Sequence, residues 1–275
     1  MSRLVRAELA KLTLRKLPFG LLAGAVGFVA LTIVLVPLVA RTAGASGVPG
    51  TESLGPLLDT IKAPAGYAFA GQLAVNQVTL FVAILAAIAV GNEYSWSTMA
   101  TTLVREPRRG RVLAAKVIAL VGLSVAGSLV VFVVCLALVA AVQPLLPADA
   151  ASPLAGPWPA EAVLTWLRGL LVLAVWVSLA TMLAVVTRSP AAAAGIAVGL
   201  GVGEGLLALV PYVRLALISP NVHALQRIAG LADPEAGLGG ATADLIPAWR
   251  AALVLCAWVG GSLAIAWTTL RSRDI

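Results

Sequence analysis

Polar positions along this chain come in bunches, and the stretches between them are long and uncharged. Residues 17–40, 63–92, 117–148, 169–187 and 251–270 contain no Asp, Glu, Lys or Arg, and 189–213 is interrupted only by Glu204. A helix of about 20 apolar residues crosses a bilayer. The pattern therefore predicts six spans, near residues 19–40, 70–91, 112–142, 162–187, 190–211 and 248–270. A spanning β-barrel would need short segments of alternating hydrophobicity, which the chain lacks, whereas a helix satisfies its own backbone in lipid. The expected fold is an all-α integral membrane protein with six transmembrane helices, forming one domain over 1–275.

Three segments between or before the spans carry patterns of their own. In "MSRLVRAELAKLTLRK", Val5, Leu9 and Leu12 fall at i, i+4 and i+7 while Arg3, Lys11 and Arg15 point elsewhere. This predicts an interfacial helix within 1–17, ended near Pro18 and Gly20; the alternative is a basic flank that only fixes topology. In "GNEYSWSTMATTLVREPRRGRVLAAK", residues 91–116, Trp96, Met99 and Leu103 fall at i, i+3 and i+7. This predicts a short helix along the membrane surface within 92–111, with Glu93 at its start complementing the helix dipole and Pro107 ending it. The segment 212–247 is long for a plain loop, and its apolar first half predicts one or two short re-entrant helices.

Composition agrees with the pattern and charge orients it. The 275 residues are 60% hydrophobic and 11% charged, against an apolar share of about 45–50% in soluble domains. With the N-terminus inside, 13 of the 19 basic residues fall on inner segments, which places both termini in the cytoplasm. The net charge of +7 then belongs to inner loops and not to a nucleic-acid surface. Arg108, Arg109, Arg111 and Lys116 either anchor the third span at anionic headgroups or meet an acidic partner. Trp158, Trp166 and Trp249 are expected as aromatic anchors at the outer interface. The first charge-free run has 24 residues, more than the roughly 7–15 of a signal-peptide core, so an uncleaved span is expected. Cys135 and Cys256 lie in predicted spans as packing residues, without disulfide or zinc spacing.

A few polar groups inside the spans are candidates for function. Gln72, Asn76 and Thr79 fall at i, i+4 and i+7 on the second span, where they either line a translocation path or hydrogen-bond to other helices. Glu204 is costly in lipid unless it faces a cavity or a partner. It attracts a cationic substrate, pairs with Arg168 or Arg214, or sits in a wet outer vestibule. Gly195, Gly199 and Gly203 recur every four residues and permit close packing, within the chain or at a dimer seam. The single histidine, His223, falls in the outer segment, and Ser124 has no identifiable base, so catalysis is not expected of this chain.

The stretch 91–116 resembles the segment after the second span of bacterial type-2 ATP-binding-cassette permeases. That family shows a Glu, a Gly-Thr a few residues on, a Leu-containing helix, Pro-x-x-Arg and Lys; here the matching positions are Glu93, Thr98, Leu103, Pro107, Arg111 and Lys116. Ser97 stands where the family usually has Gly. The "ELAKLTLRK" start, the closing Arg-Asp of "RSRDI" and the long outer segment before the last span are also similar. The resemblance covers essentially the whole chain. It implies a membrane permease subunit of an exporter in the bacterial cytoplasmic membrane, dimerising with itself or a homologue and working with two nucleotide-binding ATPase subunits. The segment 92–111 would be the coupling helix, with Glu93, Arg105 and Arg108 as polar contacts to the ATPase. No Walker A loop is present, since none of Lys11, Lys16, Lys62 and Lys116 precedes Ser or Thr. ATP and magnesium would therefore be held by the partner, with no cofactor in this chain. A lipophilic or amphipathic substrate suits the apolar interior. The alternative is an ion-coupled secondary transporter, which would call for discontinuous helices or repeated halves around a midplane site.

Overall fold

A computed structural model describes residues 1–46, 61–62, 65–106, 108–145, 158–208, 210–226 and 246–272. Among these residues all regular structure is helical. Helix α1 is Ser2–Thr13 and α2 is Lys16–Ser46. The second long helix consists of α3, Ala65–Asn76, and α4, Val78–Ser95. A short α5, Thr98–Arg105, precedes α6, Arg109–Val142. Next come α7, Trp158–Thr187, and α8, Pro190–Leu207. Two short helices, α9 (Pro211–Arg214) and α10 (Ile218–Gln226), lead to α11, Ala248–Ser272.

Six of these units are long and apolar enough to cross a membrane: α2, α3 with α4, α6, α7, α8 and α11. Their positions follow the exclusion of charge from the chain. The turn between α7 and α8 has an identifiable local cause. At Ser189 the hydroxyl accepts a hydrogen bond from Ala192 N and Pro190 occupies the first turn, an N-cap arrangement that starts α8. The tight turn before it is made by Arg188 in the left-handed region, φ 54°.

Helix α7 is the hub, packed against α3, α4, α8 and α11. In its most apolar stretch 67% of residues are buried, against 17% for α8. Close approach is made possible by missing side chains. A Cβ on Gly71 would stand 2.6 Å from the Ala162 carbonyl oxygen, and one on Gly91 would stand 2.6 Å from Pro190 Cα. At the end of the bundle where α6 begins, Arg109 donates to the Leu270 carbonyl at 2.5 Å, placing a cation at the carbonyl end of α11. Helix α1 packs on α6 at this same end. Helix α1 and the carbonyl end of α11 thus both pack against α6 at one end of the bundle.

Several expectations need correction. Helix α1 stops at Thr13, and the break falls at Leu14 and Arg15 rather than at Pro18. Pro18 lies in the first turn of α2, where an N–H has no intrahelical acceptor to lose. Trp166 is not an interfacial anchor: it is 8% exposed and stacks on Phe132 with ring centroids 5.5 Å apart. Trp249 is exposed. The first half of 212–247 does form short helices, while residues 227–245, Arg273 and Asp274 lie outside the described residues.

Candidate functional site

Chemistry-bearing side chains gather at the two ends of the bundle. At the α1 end, four charges interlock. Lys116 Nζ of α6 lies 2.5 Å from Glu93 Oε1 of α4 and 2.9 Å from Glu8 Oε2 of α1. Lys11 Nζ lies 2.7 Å from Glu8 Oε1 and 3.8 Å from Glu93 Oε1. Glu93 and Lys116 are buried. Burial raises the pKa of Glu8, but the charge of Lys116, hydrogen bonds from both lysines and the charge of Lys11 outweigh it and hold the carboxyl below its ordinary range. The cluster clamps α1 to α4 and α6. The apolar side of α1 helps: Leu12 is buried, and Val5 and Leu9 pack on the core.

This geometry corrects the roles expected for Glu93 and Lys116. Glu93 lies in the last turns of α4, before the short helix begins, and its carboxylate is turned into the protein. Neither residue is on a surface that a docked subunit or a lipid headgroup would touch. Sequence reasoning missed Glu8 and Lys11 as their partners. The i, i+3 spacing of that pair was the one available signal.

The short helix α5 is set off from α4 by Ser97, which has φ 54° and ψ 18°. This is the left-handed conformation that glycine adopts most readily, so Ser97 occupies a position that favours the Gly usual in the resembled family. Met99 is buried, whereas Trp96 and Val104 are exposed, Val104 at 84%. Trp96 caps α4 instead of extending the stripe of α5, and the Arg15 guanidinium lies 5.1 Å from its ring centroid. Thr98 is exposed, with its hydroxyl donating to the Glu93 carbonyl at 3.4 Å. Arg108 and Arg111 are exposed beyond the helix. Pro107 and the side chains of Leu103 and Arg105 lie outside the described residues.

Toward the other end a cavity of about 450 Å³ opens between α2, α3, α4, α7, α8 and α10. Gln72, Asn76 and Thr79 line it together. Around them are residues that sequence reasoning did not connect with this stripe: Thr32, Trp176, Ser219 and His223. His223 belongs to α10, one wall of the cavity, and not to a loop. The second long helix is divided beside the cavity at Gln77, whose backbone stays right-handed and whose N–H still donates to the Leu73 carbonyl at 3.1 Å, and Thr79 Oγ1 donates to the Asn76 carbonyl at 2.6 Å.

Glu204 supports that wall. Its carboxylate accepts from Ile218 N at 2.8 Å, from Ser219 N at 3.1 Å and from the Ser219 hydroxyl. It therefore caps the first turn of α10, where backbone N–H groups lack intrahelical acceptors. The expected arginine partners give way to this arrangement, and burial removes Glu204 from any open vestibule. On α8 the inward face is Ala193, Ala197 and Glu204. Gly195, Gly199 and Gly203 have nothing within 4 Å of an added Cβ, so among the described residues that face of α8 is open.

Among the described residues, fold and sites define an all-helical arrangement with six helices of membrane-crossing length, a charge clamp at one end and a polar-lined cavity toward the other. The chain belongs to the family described as protein of unknown function (DUF2705), whose model matches residues 61–207. That range includes the Gln72, Asn76 and Thr79 stripe, Glu93, α5, Lys116 and Glu204. No curated protein matches the chain.

Proposed function

We propose that this chain is the membrane-spanning permease subunit of an ATP-binding-cassette exporter, dimeric, with its six long helices in the bacterial cytoplasmic membrane and both termini in the cytoplasm. One observation carries the reading. A short helix, α5, stands between the second and third long helices, with Met99 buried and Val104, Arg108 and Arg111 exposed. An exposed apolar side chain on a rigidly mounted helix, followed by exposed guanidinium groups at the start of the next helix, suits docking into a protein cleft. The clamp of Glu8, Lys11, Glu93 and Lys116 gives that mount its rigidity, tying α1, α4 and α6 together just behind α5. ATP-driven movement of a docked subunit would then be passed to two long helices at once.

The test is mild-detergent purification of the tagged full chain from native membranes with assay of ATP hydrolysis. A stoichiometric nucleotide-binding subunit with vanadate-sensitive activity, both lost in Val104→Asp or Arg108→Glu protein that still inserts, is the expected result. A chain recovered alone from intact membrane complexes would contradict the reading.

A further inference from the structure

A groove of about 200 Å³ opens on the surface of the bundle and runs from the elbow between α1 and α2 along α2, α4 and α6. Thr13 and Pro18 line it at the elbow, and Ala25, Val78 and Val130 line it farther along. Small side chains keep it open: Ala126 is exposed on α6, and a Cβ added to Gly127 would still stand 3.7 Å from Leu22. The lining has two polar side chains, and both are engaged within their own helices. Thr13 Oγ1 donates to the Leu9 carbonyl at 3.1 Å and Ser124 Oγ to the Leu120 carbonyl at 2.7 Å. What the groove offers a guest is therefore almost entirely hydrocarbon.

Its length matches one leaflet of a bilayer. Ala25 lies nine residues beyond Lys16, the first residue of α2, which is about 14 Å of helix at roughly 1.5 Å per residue. Half of a hydrocarbon core of about 30 Å is about 15 Å. The volume is below the roughly 300–1,000 Å³ of sites that enclose a small molecule, so a segment of extended chain suits it better than a compact ligand. Charge stands at the elbow end only. Lys16 is exposed there beside Leu14, itself 86% exposed, a mixture of basic and apolar side chains suited to the headgroup level. Arg15 is engaged with the Trp96 ring. Lys16 stands in no ion pair among the described residues, whereas the carboxylates of the clamp, Glu8 and Glu93, already hold Lys11 and Lys116. An ammonium without a protein carboxylate, at the mouth of an apolar groove, complements an anionic headgroup.

We propose that this groove holds one acyl chain of an anionic phospholipid, with the headgroup phosphate at Lys16. Protein buries only 24% of the most apolar stretch of α2, so the bound chain adds packing where the bundle supplies little, next to the clamp that fixes α1. The proposal rests on the six long helices spanning a bilayer and is independent of the ATPase partner.

The full chain is reconstituted in nanodiscs of phosphatidylcholine containing a trace of phosphatidylglycerol with a diazirine midway along one acyl chain, or of the matched phosphatidylcholine probe, and photo-adducts are mapped by mass spectrometry. Adducts on the groove residues Leu22, Phe81 and Gly127 should form about fivefold more with the phosphatidylglycerol probe, the preference that one basic residue confers on an anionic headgroup. Lys16→Gln should bring the two probes level in the groove and leave adducts on Ile196 and Leu200, exposed on α8, as they were. Ala126→Phe, which fills the groove from an exposed position, should remove groove adducts of both probes and keep those on α8. Equal labelling by the two probes in the native chain would make the groove ordinary bilayer contact and overturn the proposal, as would a preference that survives Lys16→Gln. Absence of groove adducts beside normal labelling of α8 would show that protein covers the groove, and would overturn it too. Absence of adducts anywhere would contradict the spanning reading itself, whereas recovery or loss of an ATPase subunit bears on the permease reading alone.

Discussion

Glu93 and Lys116 are ion-paired at 2.5 Å in the interior, joining the end of α4 to the start of α6. Taking two charges out of water is costly, and the pair persists because Glu8 and Lys11 complete it. Removing one partner leaves a buried charge with less compensation. Glu93→Gln and Lys116→Met should each destabilise the protein by on the order of 3 kcal/mol, and the double variant combining them by clearly less than the sum. Thermal unfolding in detergent reads all three. Additive losses would show that the pair does not act as a unit.

The clamp should also weaken in acid. Native Glu8 binds its proton less readily than the unfolded chain does, because the two lysines outweigh its burial. Its contribution is therefore complete above the ordinary glutamate value, about 4.3, and is lost as pH falls through the lower native value. The difference in Tm between the native chain and Glu8→Gln should be largest near neutral pH and should close below that ordinary value. A gap independent of pH would remove the charge from the explanation.

Ser97 holds a left-handed backbone at the junction of α4 and α5. Replacing it with glycine relieves steric strain of about 1 kcal/mol. Ser97→Gly should raise stability by roughly that amount, and Ser97→Val should lower it, both measured by thermal unfolding.

Glu204 holds the first turn of α10 through three hydrogen bonds. Glu204→Ala should cost about 1–3 kcal/mol and speed amide exchange selectively over 218–226. Unchanged exchange there would mean that α10 is held by packing alone.

The glycines divide into two groups with opposite predictions. Gly91→Ala forces a Cβ to within 2.6 Å of Pro190 Cα, and overpacking of this kind costs about 1–3 kcal/mol. Gly199→Ala meets nothing within 4 Å and should leave the isolated chain as stable or more so. If Gly199→Leu lowers the fraction of dimer in crosslinking without altering unfolding, the open glycine face is the seam between copies.

Much of the fold is legible in the sequence because lipid-length helices exclude charge, and that exclusion runs through the whole chain. The boundary of α8 at Ser189 and Pro190 and the stripe of Gln72, Asn76 and Thr79 are legible because each depends on neighbours within two turns of one helix. What is not legible depends on how separate helices pack. Glu93 and Lys116 are 23 positions apart, and Glu8 is 108 from Lys116; no local pattern links them. Glu204 stands in the sequence as an isolated charge because its partners, Ile218 and Ser219, are backbone groups on another helix, together with one serine hydroxyl. Aromatic character alone puts Trp166 at an interface, whereas its stacking on Phe132 is a contact between α6 and α7.

The central claim is that α5 presents a docking surface for a nucleotide-binding subunit. The most direct measurement places a photo-crosslinking amino acid at Val104, 84% exposed on α5, and at Tyr212, 88% exposed beyond the far end of α8, and identifies the adducts formed in native membranes. The account predicts a protein adduct at position 104 whose peptides contain a Walker A loop, diminished by Arg108→Glu, and no such adduct at position 212. Lipid adducts alone at position 104, or the same ATPase captured at position 212, would contradict it.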